Sequence, residues 1–379
     1  MSSMDKVPAD GPEGRRGIGR SIRSLFPDIA PEGAPDDDVP GPTEGTPGAG
    51  FVESVRLFLS APPGERQEEA EVVRAAAREL QKTHQSQELA RGVLLLLLGG
   101  GAEDLHEEAD PGALAEDAVA LARDLTQPHV ATQVAVRLGT ERDPEARGQL
   151  IDAVSRLPDL MAPALSQAAG EAPDRGARRA CMEALRALGD EGRREAERML
   201  EDPRWFVVRN GVTLLADFGG KDAVPQLTGA LGHEDPRVRR EAVMSVARLG
   251  GEDAGMLLLG MLEDQDLDVR AAAVMGVAAL KVEKAVRPLL RMLDEVEDED
   301  LQVEVLRALG RLGDPGAVPA VEKRARGSLF TRPARPVRIA AFRALAAIGT
   351  PHAREVLKEG AEEKDPEVRQ VARSLLPKG

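Results

Sequence analysis

Through the C-terminal two-thirds of the chain, apolar residues recur at steps of three and four, and the whole pattern returns about every 31 residues. The clearest statement is Asp235-Pro236-Arg237-Val238-Arg239, followed by apolar positions up to Leu249 and then Gly250. It returns as Asp266-Leu267-Asp268-Val269-Arg270 and as Asp365-Pro366-Glu367-Val368-Arg369. Taking the residue after the Val-like position as an anchor gives Arg147, Arg178, Arg209, Arg239, Arg270, Gln302, Arg338 and Arg369. The intervals are 31, 31, 30, 31, 32, 36 and 31 residues. Three residues past each anchor stands Leu150, Cys181, Val212, Ala242, Ala273, Val305, Ala341 or Ala372, all small or apolar. Such steps mark one buried face of a helix.

A second amphipathic stretch precedes each acidic turn, as in Ala223-Val224-Pro225-Gln226-Leu227, Ala285 to Leu290, and Ala317-Val318-Pro319. Each unit therefore reads as two short antiparallel helices. The turn Asp is placed to accept a backbone N–H at the start of the second helix, with Pro in the first helical position. Gly after the final Leu stops that helix. Two-helix units at a fixed period predict an all-α fold, an α-solenoid of about eight repeats in which each unit buries its apolar face on its neighbours.

Residues 51–127 are helical in pattern but out of register. Phe51–Leu59, Gly64–Lys82, Gln87–Leu98 and Pro111–Leu125 each show helical spacing. They are expected to form a helical N-terminal cap or degenerate repeats, with the readable array over 128–379. Residues 1–50 hold eight prolines, nine glycines and the run Asp36-Asp37-Asp38. That composition buries too little to offset ordering entropy, so a disordered arm is expected.

Charge narrows the functions. With 65 acidic and 50 basic residues the net charge is −15, against a general nucleic-acid-binding surface. Aromatics make up 2% and tyrosine is absent, which removes stacking platforms for single strands. A single cysteine, Cys181, excludes an intrachain disulfide and a cysteine zinc site, and its position in a repeat helix makes it a core residue. The polar N-terminus shows no signal-peptide core, and the longest apolar run, Val93–Leu98, is too short to span a bilayer. A cytoplasmic protein is expected, and the excess of Arg over Lys with abundant Ala fits a GC-rich bacterial genome.

The repeat pattern resembles HEAT repeats, in particular the short HEAT-like units first described in phycobilisome lyases, over roughly 129–379. The resemblance implies that the second helix of each unit lines a concave face. It also implies an Asp/Arg ladder between neighbouring repeats at Asp235/Arg239, Asp266/Arg270 and Asp365/Arg369, weakened at Gln302.

No catalytic constellation stands out. The histidines, His84, His106, His129, His233 and His352, have no partner at ligand spacing, and neither a phosphate-loop lysine nor a Gly-x-Ser-x-Gly elbow occurs. No metal, cofactor or catalytic residue is expected. A bilin lyase activity, which the namesake of the repeat suggests, finds no residues of its own in the repeat.

Three places depart from a plain repeat design. Five residues after each anchor is a position expected to point partly outward: Asp152, Glu183, Leu214, Met244, Met275, Arg307, Arg343 and Ser374. Its apolar middle, with Trp205 and Phe206 upstream, makes a groove for a partner helix or peptide on the concave face, or else part of the core. Second, the 36-residue interval brings Arg324, Arg326, Arg332 and Arg335 near one another, as a basic loop for an acidic partner or as a solvated loop balancing the acids of Asp294–Asp300. Third, in the arm, Ile18, Ile22, Leu25 and Phe26 share one helical face while Arg16, Arg20 and Arg23 lie elsewhere around it. This stretch resembles the peptide by which ParB-type chromosome-partitioning proteins engage a ParA-type ATPase. Gly17, Gly19, Arg20, Leu25 and Phe26 match, and Ile18, Ile22 and Ser21 depart. The resemblance implies an ATPase-docking role with Arg20 stimulating hydrolysis; membrane contact by the arm and a plain linker are the other readings.

The sequence thus points to a non-enzymatic protein–protein interaction scaffold or adaptor that binds protein partners and no nucleic acid. The alternatives are a regulator of a ParA-type ATPase acting through the arm, and a regulatory subunit or lyase-like enzyme component.

Overall fold

The computed structural model describes residues 47–99, 111–220, 222–251, 253–327 and 332–376. Among the described residues all regular structure is helical. The chain divides into two compact units, one ending at Glu195 and one running from Ala196.

The first unit contains α1 (Pro47–Ser60), α2 (Arg66–Lys82), α3 (Ser86–Leu98), α4 (Pro111–Leu125), α5 (Pro128–Thr140), α6 (Pro144–Val154), α7 (Pro158–Glu171) and α8 (Arg175–Ala187). The division falls inside α9 (Asp190–Met199). α3 packs against α1, α4 and α5 together. A helix that meets neighbours on several sides must be apolar around most of its circumference. This accounts for the run Val93–Leu97, every residue of which is buried. The ring of Phe51 lies over Gly92, where a Cβ would come within 2.7 Å of its Cζ.

Cys181 on α8 is 1% exposed, its Sγ 3.9 Å from the Ala135 carbonyl oxygen on α5. Burial pushes its thiol up to about 11. Only the thiolate attacks an alkylating reagent. Iodoacetamide at pH 8 should therefore leave the folded protein unlabelled and label Cys181 stoichiometrically in denaturant, as mass spectrometry would read directly.

In the second unit, the second helices of successive repeats are α10 (Trp205–Phe218), α12 (Pro236–Leu249), α14 (Leu267–Ala279), α16 (Glu299–Leu312), α18 (Arg335–Ile348) and α20 (Pro366–Leu375). Each packs on the next. Between them run the first helices α11 (Ala223–Leu227), α13 (Ala254–Gly260), α15 (Val286–Glu295), α17 (Val318–Arg326) and α19 (Pro351–Gly360). The column three residues past the anchor is the spine of this stack. Val212, Ala242, Ala273, Val305, Ala341 and Ala372 are all 0% exposed. Small residues there let neighbouring helices approach closely.

The acidic turns behave as caps. Asp235 accepts from the Arg237 N–H at 2.9 Å, Asp266 from Asp268 at 2.9 Å, Asp298 from Leu301 at 2.8 Å and Asp365 from Glu367 at 3.0 Å. Asp143 and Asp174 do the same in the first unit, at 2.7 and 2.8 Å. Substituting such a cap typically costs about 1 kcal/mol. α10 and α18 start without a side-chain cap, because Arg204 and Ala334 stand where Asp would. At the far end, Gly349 takes φ +69° and returns its N–H to Leu345 at 3.0 Å, a conformation glycine adopts without Cβ strain.

Candidate functional site

The outward column lies on the second helices. Asp152, Glu183, Met244, Met275, Arg307, Arg343 and Ser374 are all exposed, the two methionines at 46% each. Leu214 is a correction to the sequence reading, since it is 0% exposed and belongs to the core. Its helix explains the difference. α10 buries Val207, Val208, Asn210, Gly211, Val212, Leu214, Leu215 and Ala216, and so is covered on more than one side. The apolar stretch of the column is therefore Met244 and Met275, at the same register on adjacent, mutually packed helices α12 and α14.

Trp205 and Phe206 are half-buried at the start of α10. Their rings meet edge to face, 5.8 Å between centroids at 89°. The Arg237 guanidinium of α12 lies 3.4 Å from the Trp205 centroid, Arg209 lies 5.4 Å from it, and Arg204 lies 5.7 Å from the Phe206 centroid. Arg237 is oriented by Asp235, whose oxygens accept from its Nε at 3.0 Å and its terminal nitrogen at 2.6 Å. Those hydrogen bonds hold the Asp235 carboxyl below its ordinary value. The tryptophan is thus one half of a cation–π staple between α10 and α12, a contact commonly worth about 1 kcal/mol.

The basic loop is not an open basic patch. Arg324 reaches the Leu293 carbonyl and lies 3.4 Å from Asp294. Arg326 pairs with Glu322 at 3.1 Å and Glu359 at 2.6 Å, and Arg332 with Glu363 at 2.6 Å. Arg335 holds Asp365 and Glu367, both at 2.9 Å. Each guanidinium expected to await an acidic partner already faces a carboxylate of its own chain, so the positive field there is largely cancelled. Part of this loop, residues 328–331, lies outside the described residues, as do the arm residues Arg16, Arg20, Ile22, Arg23, Leu25 and Phe26.

The Asp/Arg ladder exists in displaced form. Arg239 forks onto Asp264, both bonds 2.8 Å, and gives a third and fourth bond to the carbonyls of His233 and Glu234 at 2.8 and 2.9 Å. Its acid stands two residues before the capping Asp266 of the next turn, not at the cap itself. Arg338 reaches Glu363, also two before a cap, at 2.7 Å. Arg369 holds the carbonyls of Glu363 and Lys364 at 2.6 and 3.2 Å. Gln302, expected to weaken the ladder, donates to the Val296 carbonyl of its own turn at 2.8 Å, and no bond from it to an acid of the next turn is present among the described residues. Sequence reading assigned the ladder acid to the caps. The signal for the true position was present, an acid two before the cap in Glu141, Asp264 and Glu363.

Among the described residues no group of His, Cys, Asp and Glu is arranged to hold a metal, and no helix is long and apolar enough to cross a membrane. The arrangement offers the apolar pair Met244 and Met275 on stacked helices, with the exposed Arg307 and Arg343 further along the same column.

Two-helix repeats with capped acidic turns define an α-solenoid. Residues 196–268 and 256–328 match the family of HEAT repeats, and residues 337–363 the PBS lyase HEAT-like repeat. Over those residues the chain carries HEAT repeats. Solved structures similar to it include an engineered protein, at 18% identity and TM-score 0.37 over 86% of this chain and 97% of that one. Another is Kap95p bound to RanGDP, at 12% identity and TM-score 0.43 over 86% of this chain and 50% of Kap95p, so the match spans half of that protein. A third is the complex of CpcE and CpcF of phycocyanin lyase from Nostoc sp. PCC7120, at 20% identity and TM-score 0.30 over 66% and 95%. No curated protein matches the chain.

Proposed function

We propose that this protein is a non-enzymatic scaffold that binds a protein partner on the face formed by its second helices, with Met244 and Met275 as the apolar contacts. One observation carries the reading: two methionines, each 46% exposed, stand at the same register on the adjacent, mutually packed helices α12 and α14. Unbranched, polarizable side chains adapt to a partner surface. Further along the same unit the column is charged, with Arg307 and Arg343 exposed on α16 and α18, which favours a partner helix or peptide with an apolar stretch followed by an acidic one. Trp205 and Phe206 are assigned to holding α10 against α12, with their half-exposed edges available to the same partner.

The test is Met244→Glu/Met275→Glu. Both side chains are half in water, so the variant should keep the helical circular dichroism and melting temperature of the parent. Capture of the partner should be lost, since a carboxylate placed in an apolar contact must be desolvated without a counter-charge. Retained capture by a folded variant would move the binding face elsewhere.

A further inference from the structure

On α12, α14, α16 and α18, every exposed charged side chain beyond the first four residues is an arginine: Arg240, Arg248, Arg307, Arg311 and Arg343. The chain as a whole is the reverse, with 65 acidic residues to 50 basic ones. The placements are regular. Arg240 and Arg248 stand one turn either side of Met244, Arg307 and Arg343 continue the methionine register, and Arg311 lies one turn beyond Arg307. Residues four apart share a helix face, and these helices pack in sequence, α12 on α14, α14 on α16 and α16 on α18. The five guanidiniums and the two methionines therefore belong to one surface.

Its positive charge is only partly met from within. Arg248 lies 3.1 Å from Asp217 and Arg307 lies 2.5 Å from Glu304. Arg240, Arg311 and Arg343 make no hydrogen bond or ion pair among the described residues. The contrast is with Arg326, Arg332 and Arg335, each of which holds a carboxylate supplied about 30 residues on. A surplus of one sign on a surface attracts a partner of the other. The kind of anion is decided by α14, whose exposed residues beyond its first four are Met275 and Ala279, with no cation. At ordinary helix spacing the arginines of α12 and of α16 are about 20 Å apart, with this apolar surface between them. A nucleic-acid strand, with a phosphate about every 3.4 Å along its axis, would lay several of them there without a counter-charge. A polypeptide can change from apolar to acidic within a residue or two.

We propose that the partner presents an extended acidic segment that crosses the second helices in turn. Two apolar residues cover Met244 and Met275, and Asp or Glu residues run on to Arg307, Arg311 and Arg343. Helix spacing sets the register of that segment. A step from one helix to the next is about 10 Å, or about three extended residues. The apolar residues therefore stand about three apart, and acids follow about three and six positions after the second. This inference rests on the methionine face and names the chemistry of what binds there, and the two can fail separately.

The probe is fluorescein-labelled Leu-Ser-Ser-Leu-Ser-Asp-Asp-Ser-Asp-Asp, titrated with the full-length protein and read by fluorescence anisotropy. A control probe with every Asp replaced by Asn should bind about fivefold more weakly. Arg311→Gln/Arg343→Gln, both exposed and unpaired, should weaken the Asp probe about fivefold and leave the Asn probe unchanged. Lys284→Gln/Arg287→Gln makes the same charge change at the start of α15, a first helix, and should leave both probes unchanged. Met244→Ser/Met275→Ser separates the two readings. If it weakens both probes while the Arg311/Arg343 variant binds as the parent does, the methionine face stands and the acidic partner is overturned. Loss in the Arg311/Arg343 variant alone overturns the methionine contacts and with them the proposed function. The acidic partner is also overturned by absence of binding to the Asp probe, or by equal loss in the Lys284/Arg287 variant, which would reduce the attraction to net charge. A single-stranded DNA of the same net charge that displaces the probe better than unlabelled peptide does would transfer the surface to nucleic acid and overturn it too.

Discussion

Phe342→Ala is expected to lower the unfolding free energy by about 3–5 kcal/mol, the largest effect of any single substitution considered. Phe342 on α18 is 1% exposed. Its ring occupies the notch that Gly360 leaves on α19: a Cβ at 360 would lie within 2.7 Å of the ring Cζ and 3.1 Å from the Ala372 Cβ of α20. One ring thus joins three helices at the C-terminal end of the stack. Truncation removes its transfer free energy and leaves a cavity that the capped, mutually packed helices cannot close. Gly360→Ala should destabilise for the opposite reason, overpacking. Because each change relieves the other, the double variant should lose less than the sum, a coupling that denaturant titration of the four proteins measures. Strict additivity would show that ring and glycine do not share one site.

Asp264→Ala is expected to cost about 3 kcal/mol, in the range found when one partner of a buried ion pair is removed. The Asp264 and Arg239 side chains are 8% and 15% exposed, so the guanidinium left behind is largely out of water. The carboxylate also accepts the Asp266 N–H at 2.9 Å, which would be stranded as well. Burial by itself raises the Asp264 pKa. The bonds from Arg239 and from the Asp266 backbone, with the charges of Arg239 and Arg270, outweigh it, and the net position is below the ordinary 3.8. A carboxyl with a depressed folded pKa stabilises fully above its unfolded value and loses that contribution as pH falls through the folded one. The parent should therefore lose this increment progressively below about pH 4, while Asp264→Ala lacks that part of the acid dependence. Melting curves at pH 7 and pH 3 test this; the gap between parent and variant should narrow in acid.

Much of the fold was legible because it is periodic. The 31-residue recurrence placed the second helices, and the column from Val212 to Ala372 was read as buried and is buried, because a helix face repeated in register has only one way to pack. Aspartates before Pro or Leu identified the helix starts for the same local reason, a side chain that satisfies a free N–H. What could not be read was anything set by a neighbour out of register. Leu214 has the same offset from its anchor as Met244 and Met275, and only the covering of α10 distinguishes it. The arginines of the 36-residue interval looked basic along the chain, yet Glu359, Glu363, Asp365 and Glu367, about 30 residues on, neutralise them. Arg270 was indistinguishable from Arg239 in sequence. Only the structure separates them, since Arg239 holds the carbonyls of His233 and Glu234 and the Arg270 Nε is buried without a hydrogen bond.

The central claim is that the methionine strip contacts a partner. A photo-crosslinking residue placed in turn at 244, 275 and 152, in the full-length protein in its native lysate, tests it most directly. All three positions are exposed on second helices, so all three are accessible to collision. The account predicts one discrete crosslinked band shared by positions 244 and 275 and absent from 152, competed away by unlabelled parent and not by Met244→Glu/Met275→Glu. Bands of equal intensity from all three positions, or none from 244 and 275, would contradict it.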